Sequence, residues 1–205
     1  NCRFCAVDSK PPQELQADEP QRVAEAAGKM KLRHVVITSA TRDDLPDGGA
    51  SHLVETVRQV RRRCPSISVE LLVSDFDGRR ESVTEVVSEA RPEVYAHNAE
   101  VVPARQRAMR DPRFSWRRSL DTLRWAVGAG AAMTKSSLMV GCGETDEQIL
   151  QAMRELRSAG VLLLTLGQYL RPTPGHAPVA RYLPPEDFEQ YRRAALEMGF
   201  RAVAA

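Results

Sequence analysis

The chain is short of lysine, of aromatic residues and of long apolar runs. Four of its 29 basic residues are Lys and 25 are Arg. The Arg residues are scattered, which reads as a composition bias, and the one triple, Arg61 to Arg63, reads as a solvated helix face. A formal charge of +2 is too close to balance to draw in nucleic acid or a membrane surface, and neither partner is expected. The longest apolar run, Trp125 to Met133 counting its two glycines, falls far below the ~18 residues of a membrane span. Four cysteines make no secreted disulfide framework. Cys2 and Cys5 sit too close for an easy mutual bridge, and Cys64 and Cys142 lie in unrelated contexts. A soluble protein of a reduced, intracellular compartment is expected. With 205 residues, 42% of them apolar and 27% charged, the chain can bury a full core. No repeat, low-complexity tract or linker breaks it, so a single domain over residues 1–205 is the simplest organisation.

Short apolar, β-branched runs alternate with amphipathic stretches. Strands are predicted at 33–39, 67–73, 94–97, 136–140 and 162–166. Helices are predicted at 19–31, with Pro20 in the first turn, and at 50–63, 80–90, 116–127 and 185–198. Thr145 to Gln148 reads as a capping box opening a further helix, with Ile149, Met153 and Leu156 on one stripe. In the last helix Phe188, Tyr191 and Leu196 are expected to point inward, with Gly199 as the stop. Strand then helix recurs about five times. Continuously apolar strands imply a mostly parallel sheet covered on both faces. The expected fold is α/β, and His34 is expected to face the core or a helix.

Polar residues gather where each strand ends. Ser39 leads to Arg42-Asp43-Asp44 and Asp47-Gly48-Gly49, and the next strand runs into Ser74-Asp75-Phe76. The later ones run into His97-Asn98-Ala99-Glu100, Gly141-Cys142-Gly143-Glu144 and Gly167-Gln168-Tyr169-Leu170-Arg171-Pro172. In (β/α) barrels ligands sit at the C-terminal rim of the strands, so these clusters read as a functional rim. Gly141-x-Gly143 lacks the third glycine of a dinucleotide loop, since Asp146 stands there. Gly48 and Gly49 also suit a plain turn before a helix. Lys135 with Glu144 also suits a rim ion pair. His97 reads as a hydrogen-bonded rim residue, and His176 as a loop residue touching substrate or carrier.

Cys2-Arg3-Phe4-Cys5 is a C-x-x-C pair. Such thiols bind zinc, bind an iron–sulfur cluster, cycle as a redox pair, or lie inert in a core. A zinc knuckle needs partner ligands, and none follows nearby. A thioredoxin-like pair starts a helix, whereas residues 6–12 read as loop. An iron–sulfur site completed by a cysteine before Asn1 fits best. Asn1 opens the chain and Phe200 to Val203 reads as the start of a strand, so a fragment cut at both ends is expected.

The pair, with its aromatic Phe4, resembles the last two cysteines of the radical S-adenosylmethionine signature C-x-x-x-C-x-x-C. The rest of the chain resembles one family within that superfamily, the lipoyl synthases. The resemblance is carried by Val35 to Ser39, Arg42 to Leu45 with Asp47 to Ala50, His97-Asn98 with Glu100, and Thr134-Lys135-Ser136. It continues through Leu138 to Gly141 with Gly143 to Thr145, Gly167 to Pro172, then His176, Pro178-Val179, Arg181-Tyr182 and Met198 to Phe200.

That resemblance implies a partial (β/α)6 barrel of the TIM-like, radical S-adenosylmethionine type. It implies a [4Fe–4S] cluster that cleaves S-adenosylmethionine, a second, auxiliary [4Fe–4S] cluster that gives up sulfur, and insertion of two sulfur atoms at C6 and C8 of a protein-bound octanoyl-lysine. The implied partners are an octanoylated lipoyl carrier domain and an electron donor such as ferredoxin or flavodoxin. The implied compartment is the cytoplasm of a bacterium, or a mitochondrion or plastid. By the same resemblance Cys2 and Cys5 are cluster ligands, and Phe4 packs near cluster and adenine. Gly48 and Gly49 let backbone approach the methionine amino group, and Lys135 meets the methionine carboxylate. Asn98 and Glu100 take the ribose hydroxyls, while Glu144, Gln168, Tyr169 and Leu170 lie on the adenine strands. The chain departs from the family pattern at Ala99, Val101, Ser137 and Cys142, and Cys142 reads as a small apolar filler. The auxiliary-cluster cysteines and one radical-cluster cysteine are not in this sequence, so the isolated fragment is expected to be inactive.

Overall fold

A computed structural model describes residues 2–7 and 10–205. Positions 8 and 9 of the loop read over 6–12 lie outside the described residues. Among the described residues six strands form one sheet in chain order: β1 (His34–Thr38), β2 (Ser68–Leu72), β3 (Val94–Ala96), β4 (Thr134–Val140), β5 (Leu163–Gln168) and β6 (Ala202–Ala204). The helices are α1 (Glu19–Lys29), α2 (Ala50–Arg63), α3 (Arg80–Glu85), α4 (Gln106–Met109), α5 (Trp116–Gly128), α6 (Asp146–Ser158) and α7 (Pro185–Glu197). The chain groups into two compact units. One comprises Pro11–His97 and Arg124–Thr134, the other Asn1–Lys10, Asn98–Leu123 and Lys135–Ala205.

In the first of these units β1, β2 and β3 are parallel, with Val35 opposite Val69 and Leu71 opposite Tyr95. Its core holds Val57 and Val60 from α2, Val69 and Leu71 from β2, and Tyr95 from β3. Each aliphatic side chain so buried contributes roughly 2 kcal/mol. Alternation along β1 sends Val35 and Ile37 into this core and leaves His34, Val36 and Thr38 exposed on the other face. Among the described residues, then, β1 is covered on one face and not on both as expected. His34 is neither a core nor a helix-facing residue: its side chain is 48% exposed, with Nδ1 3.1 Å from Ser68 Oγ. The period of two decides this, and the apolar run concealed it.

The helix expected over 80–90 is α3 followed by a π turn at Val86–Ala90, ending on Arg91 at φ 45°. Arg61 is not simply solvated. It donates to the Arg91 carbonyl at 2.7 Å and to the Ala90 carbonyl, satisfying carbonyls that a helix end leaves open.

In the other unit β4, β5 and β6 are parallel, with Leu138 opposite Leu166 and Leu164 opposite Val203. Leu138 and Val140 pack with Ile149, Met153 and Leu156 of α6 and Tyr191 of α7. The capping box forms: Gln148 N–H donates to Thr145 Oγ1 at 3.3 Å and Thr145 N–H donates to Gln148 Oε1 at 3.0 Å. Phe188 and Tyr191 pack inward as expected, but Leu196 is exposed and the fully buried small Ala195 takes the inward position beside it. Ser136, Leu138 and Val140 of β4 are buried, while Lys135, Ser137 and Met139 on the opposite face are half-buried. No helix among the described residues is long and apolar enough to cross a membrane.

Candidate cysteine site and strand-end loops

Cys2 and Cys5 bracket a turn in which Cys5 N–H donates to the Cys2 carbonyl at 3.3 Å. Both thiols are free and half-buried. Each sulfur accepts a backbone N–H at 3.4 Å, Cys2 Sγ from Asp111 and Cys5 Sγ from Val7. Both sulfurs are thus held by backbone in a fixed direction, and cysteine ligates metal through that atom. The turn is anchored on both sides, since Arg3 N–H donates to the Met109 carbonyl at 2.7 Å and Ala177 N–H donates to the Arg3 carbonyl at 2.8 Å. Phe4 packs against a small core of Val101, Met109, Cys142, Tyr169 and Ala177, at the ends of β4 and β5. No cluster of three or more metal-ligating side chains occurs among the described residues. What the turn itself offers is two softly ligating sulfurs in C-x-x-C spacing, a donor set that fits iron–sulfur chemistry.

Beyond β4 the chain turns at Gly141, φ 91°, where an added Cβ would lie 2.4 Å from Gln168 Nε2 and 2.5 Å from the Arg181 carbonyl. Glu144 folds back onto this loop and accepts N–H bonds from Gly141 at 2.6 Å and Cys142 at 2.9 Å. The loop therefore spends its N–H groups on its own carboxylate, which also removes a phosphate-loop reading. Cys142 is buried. Its thiol is pushed up to about 12 by burial, reinforced by the Glu144 carboxylate and partly offset by Arg105. That is a filler, as expected. Lys135 and Glu144 form no rim ion pair: Lys135 stands at the N-terminal end of β4, about 17 Å along the strand from Val140. The structure does not bring Lys135 to this cluster.

Asn98 and Glu100 do lie together, close enough for the Asn98 side chain to act on the Glu100 carboxyl. Glu100 has φ 69°, unusual for a residue with a Cβ, and bridges β4: its N–H donates to the Ser137 carbonyl at 3.1 Å and its carbonyl accepts from Met139 at 2.7 Å. Burial pushes its carboxyl above the usual range, against the opposing pull of Arg110 and Asn98. Arg110 is itself buried, donating to Ser119 Oγ at 3.1 Å, and its Nε has no partner. Sequence reasoning missed Arg110, because nothing in a chain of 25 arginines marks one of them as buried.

Gln168 and Tyr169 are committed to the protein. Gln168 donates to the Arg181 carbonyl at 3.1 Å and accepts from Leu183 N–H at 3.0 Å, and the buried Tyr169 hydroxyl donates to the Ala177 carbonyl at 2.8 Å. They tie down a strap, residues 171–184, that also reaches the cysteine turn. Leu170 is exposed. Gly167, next in line on β5, has nothing within 4 Å of an added Cβ. His176, read as a loop residue, lies in the strap with its ring nitrogen Nε2 2.9 Å from the Cys5 carbonyl.

The second group of rim residues belongs to the other unit. Gly48 and Gly49 have φ 65° and 87°, and Gly49 is the N-cap of α2. Asp47 accepts from Gly49 N–H at 2.9 Å and Ser51 N–H at 2.8 Å, so this is a turn that opens a helix. Burial raises the Asp47 carboxyl, but its bonds from Ser51 and Gly49 outweigh that and hold it below its ordinary value. An added Cβ on Gly48 would meet Phe76 at 3.1 Å. Phe76 and Asp77 are themselves left-handed, with φ 49° and 53°. Two non-glycine residues in succession thus hold a left-handed backbone, and the sequence showed only the polar character of the segment. His97 is a hydrogen-bonded rim residue, as expected, with Nδ1 donating to the Val73 carbonyl at 3.0 Å.

A family model described as the radical SAM superfamily matches residues 1–156. Lipoyl synthase of Thermus thermophilus is 53% identical over 206 residues, a match that covers 100% of this chain and 64% of that protein. Lipoyl synthase of Caldanaerobacter subterraneus subsp. tengcongensis is 47% identical, with 100% of this chain and 72% of that protein covered. The chain thus spans 57–64% of the length of the first few curated relatives it matches. Among solved structures, that of HydG, a maturase of the [FeFe]-hydrogenase, superposes with a TM-score of 0.74 over 98% of this chain and 47% of that one. At 16% identity, that likeness is one of fold.

Proposed function

The chain belongs to the radical SAM superfamily and within it to the lipoyl synthases, its open parallel sheet being the partial (β/α)6 barrel of that superfamily, and on this premise we propose that it is the core of an enzyme inserting two sulfur atoms into a protein-bound octanoyl chain. The observation that carries the reading is the cysteine turn: two free thiols, each accepting an N–H bond, beside an aromatic packed on the ends of β4 and β5. Cys2 and Cys5 would hold two corners of a [4Fe–4S] cluster. When bound, that cluster supplies one electron to S-adenosylmethionine and so starts radical chemistry.

The chain's own residues bind, orient and shield. Glu100 and Asn98 offer a carboxyl and an amide to the ribose hydroxyls, and burial of the carboxyl strengthens such bonds. Because Gln168 and Tyr169 are tied to the strap, the adenine contact on β5 comes from backbone at Gly167 and from the exposed Leu170 side chain. Glu144 acts on the cofactor indirectly, by holding the Gly141 turn. Gly48 and Gly49 present backbone to the methionine end, whereas Lys135, at the N-terminal end of β4, has no part in holding the carboxylate. The substrate is an octanoylated lipoyl carrier domain, a second [4Fe–4S] cluster supplies the sulfur, and a ferredoxin or flavodoxin supplies electrons. The compartment is cytoplasmic in a bacterium, mitochondrial or plastid in a eukaryote.

The test is anaerobic reconstitution of the full-length protein with iron and sulfide, followed by an assay on an octanoylated carrier. A brown protein that releases methionine and yields a lipoylated carrier by mass spectrometry supports the reading, and Cys2→Ala or Cys5→Ala should abolish both colour and product. A colourless protein that binds zinc at the pair would refute it.

A further inference from the structure

Two adjacent strap residues bond to two carbonyls of the cysteine turn. Ala177 N–H donates to Arg3, and His176 Nε2 lies 2.9 Å from the Cys5 oxygen. A carbonyl oxygen only accepts, so Nε2 carries the proton. Nδ1 lies 2.8 Å from Thr173 Oγ1, which in turn accepts from Gly175 N–H at 3.3 Å. In the neutral ring Nδ1 is then the acceptor, and the Thr173 hydroxyl donates to it. The result is a one-way chain: Gly175 N–H to Thr173 oxygen, Thr173 O–H to Nδ1, Nε2–H to Cys5. The backbone of His176 is engaged as well, its N–H donating to the Thr173 carbonyl at 3.0 Å and its carbonyl accepting from Arg171 Nε at 2.9 Å. Both ring nitrogens and both main-chain groups are therefore occupied by the protein, which leaves the ring no lone pair or proton for a substrate.

We infer that His176 is a positioning residue for the metal-binding turn: through Nε2 it fixes the Cys5 peptide, and so the direction of the Cys5 thiolate and the Val7 N–H bond that thiolate accepts. The inference rests on the reading of Cys2 and Cys5 as cluster ligands. Its physical basis is that a ligand's outer partners set its orientation, and that N–H bonds to cluster sulfur favour the more negative, reduced form. Releasing the Cys5 peptide lets the 2–7 segment rotate. The Val7 N–H bond at 3.4 Å is then lost, the reduced cluster loses a donor, and its potential falls.

The experiment uses full-length protein as wild type, His176→Leu, His176→Asn and His176→Gln. In the metal-free proteins, hydrogen exchange is read at the amides of residues 5–7. In the cluster-loaded proteins, reduction potential is read by dye titration with electron paramagnetic resonance, and iron loss by reaction with a chelator. The Gln amide reaches the position of Nε2 and the Asn amide falls short of it. His176→Gln should therefore stay within about twofold of wild type. His176→Asn and His176→Leu should exchange the Val7 amide roughly tenfold faster, lose iron several-fold faster and show a more negative potential. Asn keeps the falsifying comparison available should Leu fail to fold. Folded Asn or Leu variants that match wild type in all three readouts overturn the inference, as does a Gln variant no better than Leu. A wild type that shows the exchange pattern but takes up no cluster overturns the cluster reading instead, and with it the role assigned to His176.

Discussion

Gln168 donates from its amide nitrogen to the Arg181 carbonyl at 3.1 Å, and that bond closes over Gly141. The contact needs a residue without a side chain below it. A Cβ at position 141 would stand 2.4 Å from the donor and 2.5 Å from the acceptor, and φ is 91°. Gly141→Ala therefore combines a left-handed backbone penalty with a steric clash and the loss of a hydrogen bond, and should cost about 2 kcal/mol or more. Denaturant unfolding of the two proteins checks this. A cost below about 1 kcal/mol would mean that the strap does not close over the loop.

Gly167 makes the opposite case. It lies one residue before Gln168, has no atom within 4 Å of an added Cβ, and is the last residue but one of β5, where alanine is compatible. Gly167→Ala should leave stability within about 0.5–1 kcal/mol of wild type, since a strand gains slightly from alanine. If adenine lies against β5, the added methyl occupies its place. Titration with S-adenosylmethionine should then show binding weakened at least tenfold, roughly 1.4 kcal/mol, in a fully folded protein. Unchanged affinity would remove β5 from the cofactor site.

The parallel α/β plan, the capping box of α6 and the polar strand ends were legible because each is written in local residue order. Side-chain commitments were not. Gln168 and Glu144 look like ligands in sequence, yet Gln168 holds strap residues 13 and 15 positions away, and Glu144 folds back onto N–H groups two and three residues before it, a choice of partner that residue order does not record. The left-handed stretch at Phe76 and Asp77 was not legible either, because an aromatic residue gives no sign of positive φ, and Asp, though it tolerates that region, adopts it in few of its occurrences. Leu196 was misplaced by a stripe read one residue too far, with Ala195 filling the contact. Arg110 was invisible because burial of a charge depends on tertiary partners, and composition had made arginine uninformative.

Asp146, at the first position of α6, accepts from the Tyr191 hydroxyl at 2.8 Å and from Arg181 of the strap. The Arg181 guanidinium, then Tyr191, hold its carboxyl below the ordinary value. The folded pKa is thus below the unfolded one, so the stabilisation is present above about pH 4 and is lost as pH falls through the folded pKa. The Asp146 and Arg181 side chains are 64% and 43% exposed, so solvent screening limits the gain to about 0.5–1 kcal/mol. Unfolding curves of wild type and Asp146→Asn should differ by that amount between about pH 5 and 8, converge below about pH 3, and draw together in high salt. A difference that grows on acidification would contradict the pairing.

Cys142 separates the ligand cysteines from the filler in a single chemical measurement. Cys2, Cys5 and Cys64 are half-buried, whereas Cys142 is 2% exposed and its thiol is pushed up to about 12. The thiolate is the species that alkylates, and at about pH 8 a thiol pushed up to about 12 is almost wholly un-ionised. Burial of Cys142 also excludes the reagent. In metal-free protein under anaerobic conditions, iodoacetamide should modify Cys2, Cys5 and Cys64 while Cys142 stays unmodified until denaturant is added. Peptide mass spectrometry over a time course resolves the four sites. Cys142→Leu should also fold, and keep any cluster that wild type binds, because a buried thiol with Glu144 beside it has no ligand role to lose. Labelling of native Cys142 at the rate of Cys64, or loss of the cluster in Cys142→Leu, would place that sulfur among the ligands instead.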